Sequence, residues 1–280
     1  MQMQHIAAFS IGDTGGNPAG VVLCDSLPGA SFMQAAAADA GYSECVFAAP
    51  DANGWKVRYF APAIEVEFCG HATIALGAAL AMQAGPGVYP LEIAQGTIEV
   101  EGYASGARCG AAFRSLPTRS RPLTQAVLGE VLALFGLGRE ALDPRLPAGV
   151  AHAGEDHLIL ALRDRATLRA MRYDFERGRA LAQREGLVTF DLVHAESPRL
   201  FHARNPFPLG GVYEDPATGA AAGALAGYLR DLGWPHEGAI TILQGEDMGV
   251  PCRIEVDIPP RRGEGVRVAG TARILRAPRP

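Results

Sequence analysis

The stretch EVEFCGHATIALGAAL, residues 65–80, changes character at its midpoint. Glu65 to Phe68 alternates charged and apolar side chains with the period of a strand. From His71 onward Ala, Leu, Ile and Gly predominate, and the pattern predicts a helix from about His71 to Met82, closed by Gly85-Pro86. Cys69, Gly70, His71 and Thr73 crowd the junction, so a thiol, an imidazole and a hydroxyl meet at a helix start. The backbone N–H groups there have no intrahelical partner and carry partial positive charge, which suits an anion.

Short apolar runs separated by turn signals surround this segment. IAAFSI and VVLCD read as strands flanking the turn DTGGNPAG, and SFMQAAAADAG reads as a helix with Ser31 as N-cap and Gly41 past its end. YSECVFAAP and GWKVRYFAP read as strands around the hairpin-type turn DANG. FRSLPTRSRPLT, residues 113–124, is rich in Pro, Arg, Ser and Thr and is expected to link two lobes, 1–117 and 118–280, with the final strand able to return to the first. Beyond it come an amphipathic helix near Thr124, a strand DHLILAL, one or two charged helices in 165–186, and a second Ala/Gly helix in TGAAAGALAGYLRDLG.

The two halves share an order of motifs. Arg58 of RYF recurs as Arg199 of RLF, Ala72 of HAT aligns with Ala217 of PAT, and Gly96 of AQG aligns with Gly245 of LQG, at offsets of 141, 145 and 149. Near-constant spacing points to a duplication and to a pseudo-symmetric α/β protein. With Ala72 on Ala217, Cys69-Gly70-His71 falls opposite Glu214-Asp215-Pro216. Two helix N-termini facing each other would then hold a carboxylate, with Gly70 and Gly219 allowing close backbone approach.

Composition bounds the function. Hydrophobic residues make up 48% of the 280-residue chain, charged residues 20%, and the formal net charge is −5. Without a basic patch, nucleic acid and anionic membrane are poor partners. No apolar run reaches the roughly 20 residues of a membrane span. The first residues lack a basic region followed by an apolar core, so no secretory signal is expected. Five scattered cysteines, with no CxxC and no Cys/His cluster at zinc spacing, argue against a disulfide scaffold or structural metal and for a reducing cytoplasm. The Gly-rich segments match neither GxGxxG after a strand nor GxxxxGK[ST], which leaves nucleotide binding unsupported.

GNPAGVV, SECVF, VRYFAP, EFCGHATIALG and EDPATGAAAGALAGYL occur in order over nearly the whole chain. Together they resemble the PhzF-like family of phenazine biosynthesis, a branch of the diaminopimelate epimerase and proline racemase superfamily. The resemblance implies an α/β fold of two similar lobes, each a β-barrel-like sheet around a central helix, with the active site between them. It also implies cofactor-independent proton transfer at carbon on a small carboxylate-bearing metabolite, often in a homodimer. Carried over residue by residue, the general acid/base is Glu44, and His71 and Asp215 join it. The substrate carboxylate would be bound around Gly70, His71, Gly219 and Ala220. Ala220 stands where the PhzF-type pattern often has Ser, and the missing hydroxyl bears on the substrate rather than on the proton chemistry.

The residues themselves leave alternatives. Glu44, sharing a strand face with Tyr42 and Val46, is a solvated edge residue or, if buried, a carboxyl tuned to exchange protons near neutral pH. Asp215 is a helix N-cap, an acid/base, or both. His71 is held neutral by the helix dipole and donates to a developing enolate, or is structural. Cys69 packs near the site or serves as a thiol base, although the C-terminal helix has no matching cysteine for a two-thiol racemase. Successive helical positions diverge by about 100°, so Cys69 and His71 are expected to point apart, which disfavours a Cys–His hydrolase. Asn17 is turn chemistry or a substrate contact, and Thr73 and Thr218 cap or line the helix starts. The expected activity is a 1,3-proton shift or tautomerisation. A racemase or epimerase, or a ligand-binding protein without turnover, are the alternatives.

Overall fold

The structure, a computed structural model, describes residues 2–105 and 108–276. The chain divides into two compact units. The first comprises 1–114, 250–253 and 268–280, the second 115–249 and 254–267.

In the first unit the strands are β1 (Gln4–Ala8), β2 (Asn17–Leu23), β3 (Glu44–Asp51), β4 (Gly54–Phe60), β5 (Glu65–Val66), β6 (Gly87–Ile93), β7 (Gly96–Ser105) and β8 (Arg108–Arg114). Helix α1 (Ala30–Ala40) joins β2 to β3, and α2 (Gly70–Ala84) joins β5 to β6. Both connections are crossovers between parallel neighbours, β2 with β3 and β4 with β6. The remaining neighbours, β1–β2, β3–β4, β6–β7 and β7–β8, are antiparallel. Helix α1 begins after Gly29 rather than at Ser31, and ends at Gly41 in the left-handed conformation expected of a C-terminal glycine.

The second unit repeats this plan with β9 (Arg119–Pro122), α3 (Gln125–Phe135), β10 (Gly149–His152), β11 (Asp156–Ala161), α4 (Arg165–Arg169), α5 (Phe175–Glu185), β12 (Thr189–Ala195), β13 (Leu200–Phe207), β14 (Val212–Asp215), α6 (Gly219–Leu232), β15 (Ala239–Gln244) and, from Ile254 on, β16 (Cys252–Asp257), whose first two residues belong to the first unit. Again the crossovers join parallel pairs, β11 with β12 and β13 with β15. The Pro- and Arg-rich segment expected as a linker contains the boundary between the units, at Arg114 and Ser115, although half of it lies in strands. Arg114 ends β8, and Arg119 to Pro122 pair with β10, because Pro122 sits at a strand end where its missing N–H costs nothing. The last strand, β17 (Arg267–Ile274), pairs with β1 and β8 and so closes an eight-stranded barrel, β17-β1-β2-β3-β4-β6-β7-β8.

Helix α2 runs inside that barrel, buried continuously from Gly70 to Ala81. Its composition follows from the space available. A Cβ on Gly77 would come within 2.6 Å of Val100 and Ala111 on the wall, and one on Gly102 would lie 2.2 Å from the Gly77 carbonyl oxygen. Helix α6 is packed in the same way within the second unit, where a Cβ on Gly227 would meet the Thr118 side chain at 2.6 Å. A second apolar layer covers the strands outside the helix-filled interior. In the second unit Leu128, Val131 and Phe135 of α3 and Leu181 of α5 pack on Leu158, Leu160 and Phe190. Among the described residues no helix is long and apolar enough to cross a membrane.

Candidate functional site

Burial, not propensity, sets the chemistry at the start of α2. Cys69 is the N-cap, in extended conformation (φ −143°, ψ 114°), with Gly70 the first helical residue and His71 the second. Because Cys69 precedes the helix, the divergence expected of helical neighbours does not apply to it. Its Sγ lies 3.2 Å from His71 Nδ1, which corrects the expectation that the two side chains point apart. The other ring nitrogen, Nε2, lies 3.6 Å from Glu44 Oε2 and 3.4 Å from Ser43 Oγ.

Glu44 opens β3 and pairs in parallel register with Ala19. It is only 7% exposed, so the buried alternative holds over the solvated edge. His71 is 4% exposed. Burial pushes its imidazole below the ordinary range, against the opposing pull of Glu44 and of a hydrogen bond to the Pro18 carbonyl. The ring is thus neutral near pH 7, with desolvation a named cause beside the dipole of α2. Thr73 does not cap. Its hydroxyl donates back to the Cys69 carbonyl at 2.7 Å and meets the Tyr59 hydroxyl at 2.7 Å, fixing the turn that carries Cys69. Asn17, read from sequence as turn chemistry, is the first residue of β2, pairs with Ala8 and is 2% exposed.

Glu44, Cys69 and His71 also offer one ligand atom each within 4.8 Å of one another. Thiolate, imidazole and carboxylate are a donor set that Zn²⁺ accepts. The ring sits between thiol and carboxylate with a different nitrogen toward each.

The second unit has its own cluster at the start of α6. Thr218 is the N-cap residue and Gly219 the first helical residue, followed by half-buried Ala220. Matching the helix starts, Gly70 on Gly219, gives an offset of 149, so Cys69 corresponds to Thr218 and His71 to Ala220. This corrects the alignment of Cys69-Gly70-His71 with Glu214-Asp215-Pro216. The difference arises in the strand-to-helix connection: two residues separate Asp215 from the N-cap, so Asp215 is not itself the cap. Thr218 makes no side-chain cap bond. Its hydroxyl donates instead to Asp215 Oδ2 at 2.6 Å. Asp215 is 6% exposed, and its neighbour Glu214 is committed to a buried ion pair with Arg204.

Sequence reasoning missed several residues. Ser43, the other half of the SE pair, reaches His71. Gln244, at the end of β15, is 2% exposed and bonds to Thr218 and Asp215. Asp191, on β12, is 2% exposed and accepts from Asn205 Nδ2 at 3.1 Å; burial pushes its carboxyl up to about 7. A charged residue inside the apolar run LVTFDLVHA was the signal for Asp191. Nothing in LQG marks Gln244, because its role depends on a strand end meeting a helix start remote in sequence.

Three comparisons bear on these clusters. Residues 6–277 match the family model described as phenazine biosynthesis-like protein. An uncharacterized isomerase of Deinococcus radiodurans is 36% identical, the alignment covering 97% of this chain and 92% of that protein. A trans-2,3-dihydro-3-hydroxyanthranilate isomerase of Pseudomonas aeruginosa is 32% identical over 89% of this chain and 87% of its own. The crystal structure of a PhzF-family phenazine biosynthesis protein from Bacillus anthracis superposes with a TM-score of 0.85 at 21% identity, covering 99% of this chain and 98% of that one.

Proposed function

The chain belongs to the phenazine biosynthesis-like family, and from that premise we propose that it is a cofactor-independent isomerase moving a proton between carbons of a small carboxylate-bearing metabolite. The observation that carries the reading is Glu44, buried and 3.6 Å from a buried, neutral His71 at the N-terminus of α2. A carboxyl so placed takes a proton from an activated carbon, exchanges it with solvent between steps, and delivers one to another carbon. His71 supports it as a neutral hydrogen-bonding partner, and the N–H groups of Gly70 and His71 favour a substrate carboxylate. Asp215, buried before the start of α6, is a further acid/base group of this reading, with Gly219 and Ala220 at the helix start. Asn17 is a further substrate contact. Ala220 offers no hydroxyl donor, which bears on which carboxylate is turned over and not on the proton chemistry. The active form is a homodimer in the cytoplasm.

The experiment is a panel of small carboxylates, beginning with trans-2,3-dihydro-3-hydroxyanthranilate, incubated with enzyme in D₂O. Isomerisation with deuterium entering at carbon supports the reading. A compound that raises the melting temperature yet never exchanges would instead make this a binding protein.

A second reading rests on Cys69, whose Sγ contacts His71 Nδ1. A thiol paired with imidazole at a helix N-terminus is a competent base, and with Glu44 it would give a racemase or epimerase. Inversion at the exchanging carbon, lost in Cys69→Ala, would favour it; a shifted double bond with no inversion would sink it.

A further inference from the structure

Gln244 is not part of the chemistry described above, yet its whole amide is spent on the start of α6. Oε1 accepts from the Thr218 backbone N–H at 3.1 Å. Nε2 donates to the Asp215 carbonyl at 2.7 Å and to Thr218 Oγ1 at 3.1 Å. The orientation of the amide is fixed by its partners, since a backbone N–H only donates and a carbonyl only accepts. Nε2 must therefore face Thr218 Oγ1 as a donor. A hydroxyl has one proton, and one that is already accepting from Gln244 turns that proton toward Asp215 Oδ2, 2.6 Å away. The side chain reaches this point because β15 lies parallel to β13, with Gln244 opposite Ala203, and β13 also pairs with β14, which ends in Asp215.

We propose that Gln244 is a positioning residue that sets the direction of a hydrogen-bond chain, Gln244 to Thr218 to Asp215, and so holds the Asp215 carboxyl as an oriented carboxylate. The assignment rests on the role given to Asp215 above. Without the Gln244 donor the Thr218 hydroxyl is free to turn, and Asp215 loses a charge-assisted bond aimed at one of its oxygens. A leucine at 244 would also remove the bonds to the Thr218 N–H and the Asp215 carbonyl, loosening the turn.

The test is a double-mutant cycle on Gln244→Leu and Thr218→Val, read in two ways. The first is the titration of the Asp215 carboxyl by ¹³C NMR, its signal assigned by loss in Asp215→Asn. Each single variant should move the titration to higher pH, and the double variant should move it no further than Thr218→Val alone. The second is turnover of trans-2,3-dihydro-3-hydroxyanthranilate, where Gln244→Leu should lower kcat by about 10²-fold with a smaller change in KM. Additive titration shifts, or none in Gln244→Leu, would overturn the proposal. Should that variant fail to fold, Gln244→Glu replaces it in the cycle. The field of its added charge persists in the Thr218→Val background and is subtracted there. Failure of turnover in the wild type with the expected titration cycle would count against the isomerase reading and leave the hydrogen-bond chain standing.

Discussion

Replacing Asp191 by Asn should stabilise the second unit above pH 7 and do almost nothing below pH 4. Asp191 is 2% exposed, and burial raises its carboxyl from 3.8 to about 7, with the Asn205 hydrogen bond opposing. Below pH 4 both folded and unfolded chains hold the proton, and the group makes no difference. Between pH 4 and 7 the unfolded chain loses the proton while the folded one keeps it, so stability falls as pH rises. Above pH 7 the folded chain must ionise a buried carboxyl, and the cost saturates. A shift of about 3 units at about 1.4 kcal/mol each puts that cost on the order of 4 kcal/mol. Asparagine removes the charge while keeping the shape. Its carbonyl can still accept from Asn205 Nδ2, and its amide can donate to Asn205 Oδ1, which is buried without a partner among the described residues. Urea unfolding of both proteins at pH 4 and pH 8, followed by tryptophan fluorescence, gives the difference directly, since both tryptophans (Trp55 and Trp234) report on separate units. A gain of a few kcal/mol at pH 8 that vanishes at pH 4 is expected. A variant less stable than wild type at pH 8, or a difference independent of pH, would refute the reasoning.

His157 should govern the acid side. Its ring is 1% exposed, burial lowers it from 6.5 to about 3, and Nε2 has no partner among the described residues. The stability this gives is present above pH 6.5 and is lost as pH falls toward 3, so His157→Gln should move acid unfolding, followed by circular dichroism, to lower pH; an unchanged midpoint would count against it. Gly77→Ala should destabilise the first unit by about 1–3 kcal/mol, because the new methyl meets Val100 and Ala111 at 2.6 Å. Equal urea midpoints would show that the wall of the barrel yields. Arg204→Met should cost about 3–5 kcal/mol in the second unit by leaving Glu214 buried and unpaired. Restoration by Glu214→Leu in the same chain would confirm the cause, and a single variant as stable as wild type would exclude it.

Two alanine- and glycine-rich helices, each entered from a short strand, and a repeated order of motifs made a duplicated α/β protein legible, whereas the helix-in-barrel plan came from the resemblance to the family. Glu44, His71 and Asp215 were singled out by the resemblance, since the residues alone left a solvated edge, a structural imidazole and a helix cap open. The Cys69–His71 contact was not, since it depends on one residue being extended rather than helical. The offset between the halves was misread at the second helix because the Ala-rich segments slide over one another without penalty in sequence, whereas their N-caps fix the match at Cys69 and Thr218. The Pro-rich segment concealed β9 because prolines at strand ends look like linkers. Gln244 and Asn205 act through partners distant in the chain, and no local pattern announces them.

The central claim is that Glu44 carries the proton. The measurement is deuterium incorporation at carbon by wild type, Glu44→Gln, Asp215→Asn and the double variant, on whichever carboxylate the wild type turns over. Glutamine keeps the shape and cannot exchange a proton, so Glu44→Gln should lose about 10²–10⁴-fold in exchange rate. The double variant should lose little beyond the worse single one, as expected of residues serving one turnover. Exchange by Glu44→Gln at the wild-type rate would contradict the account.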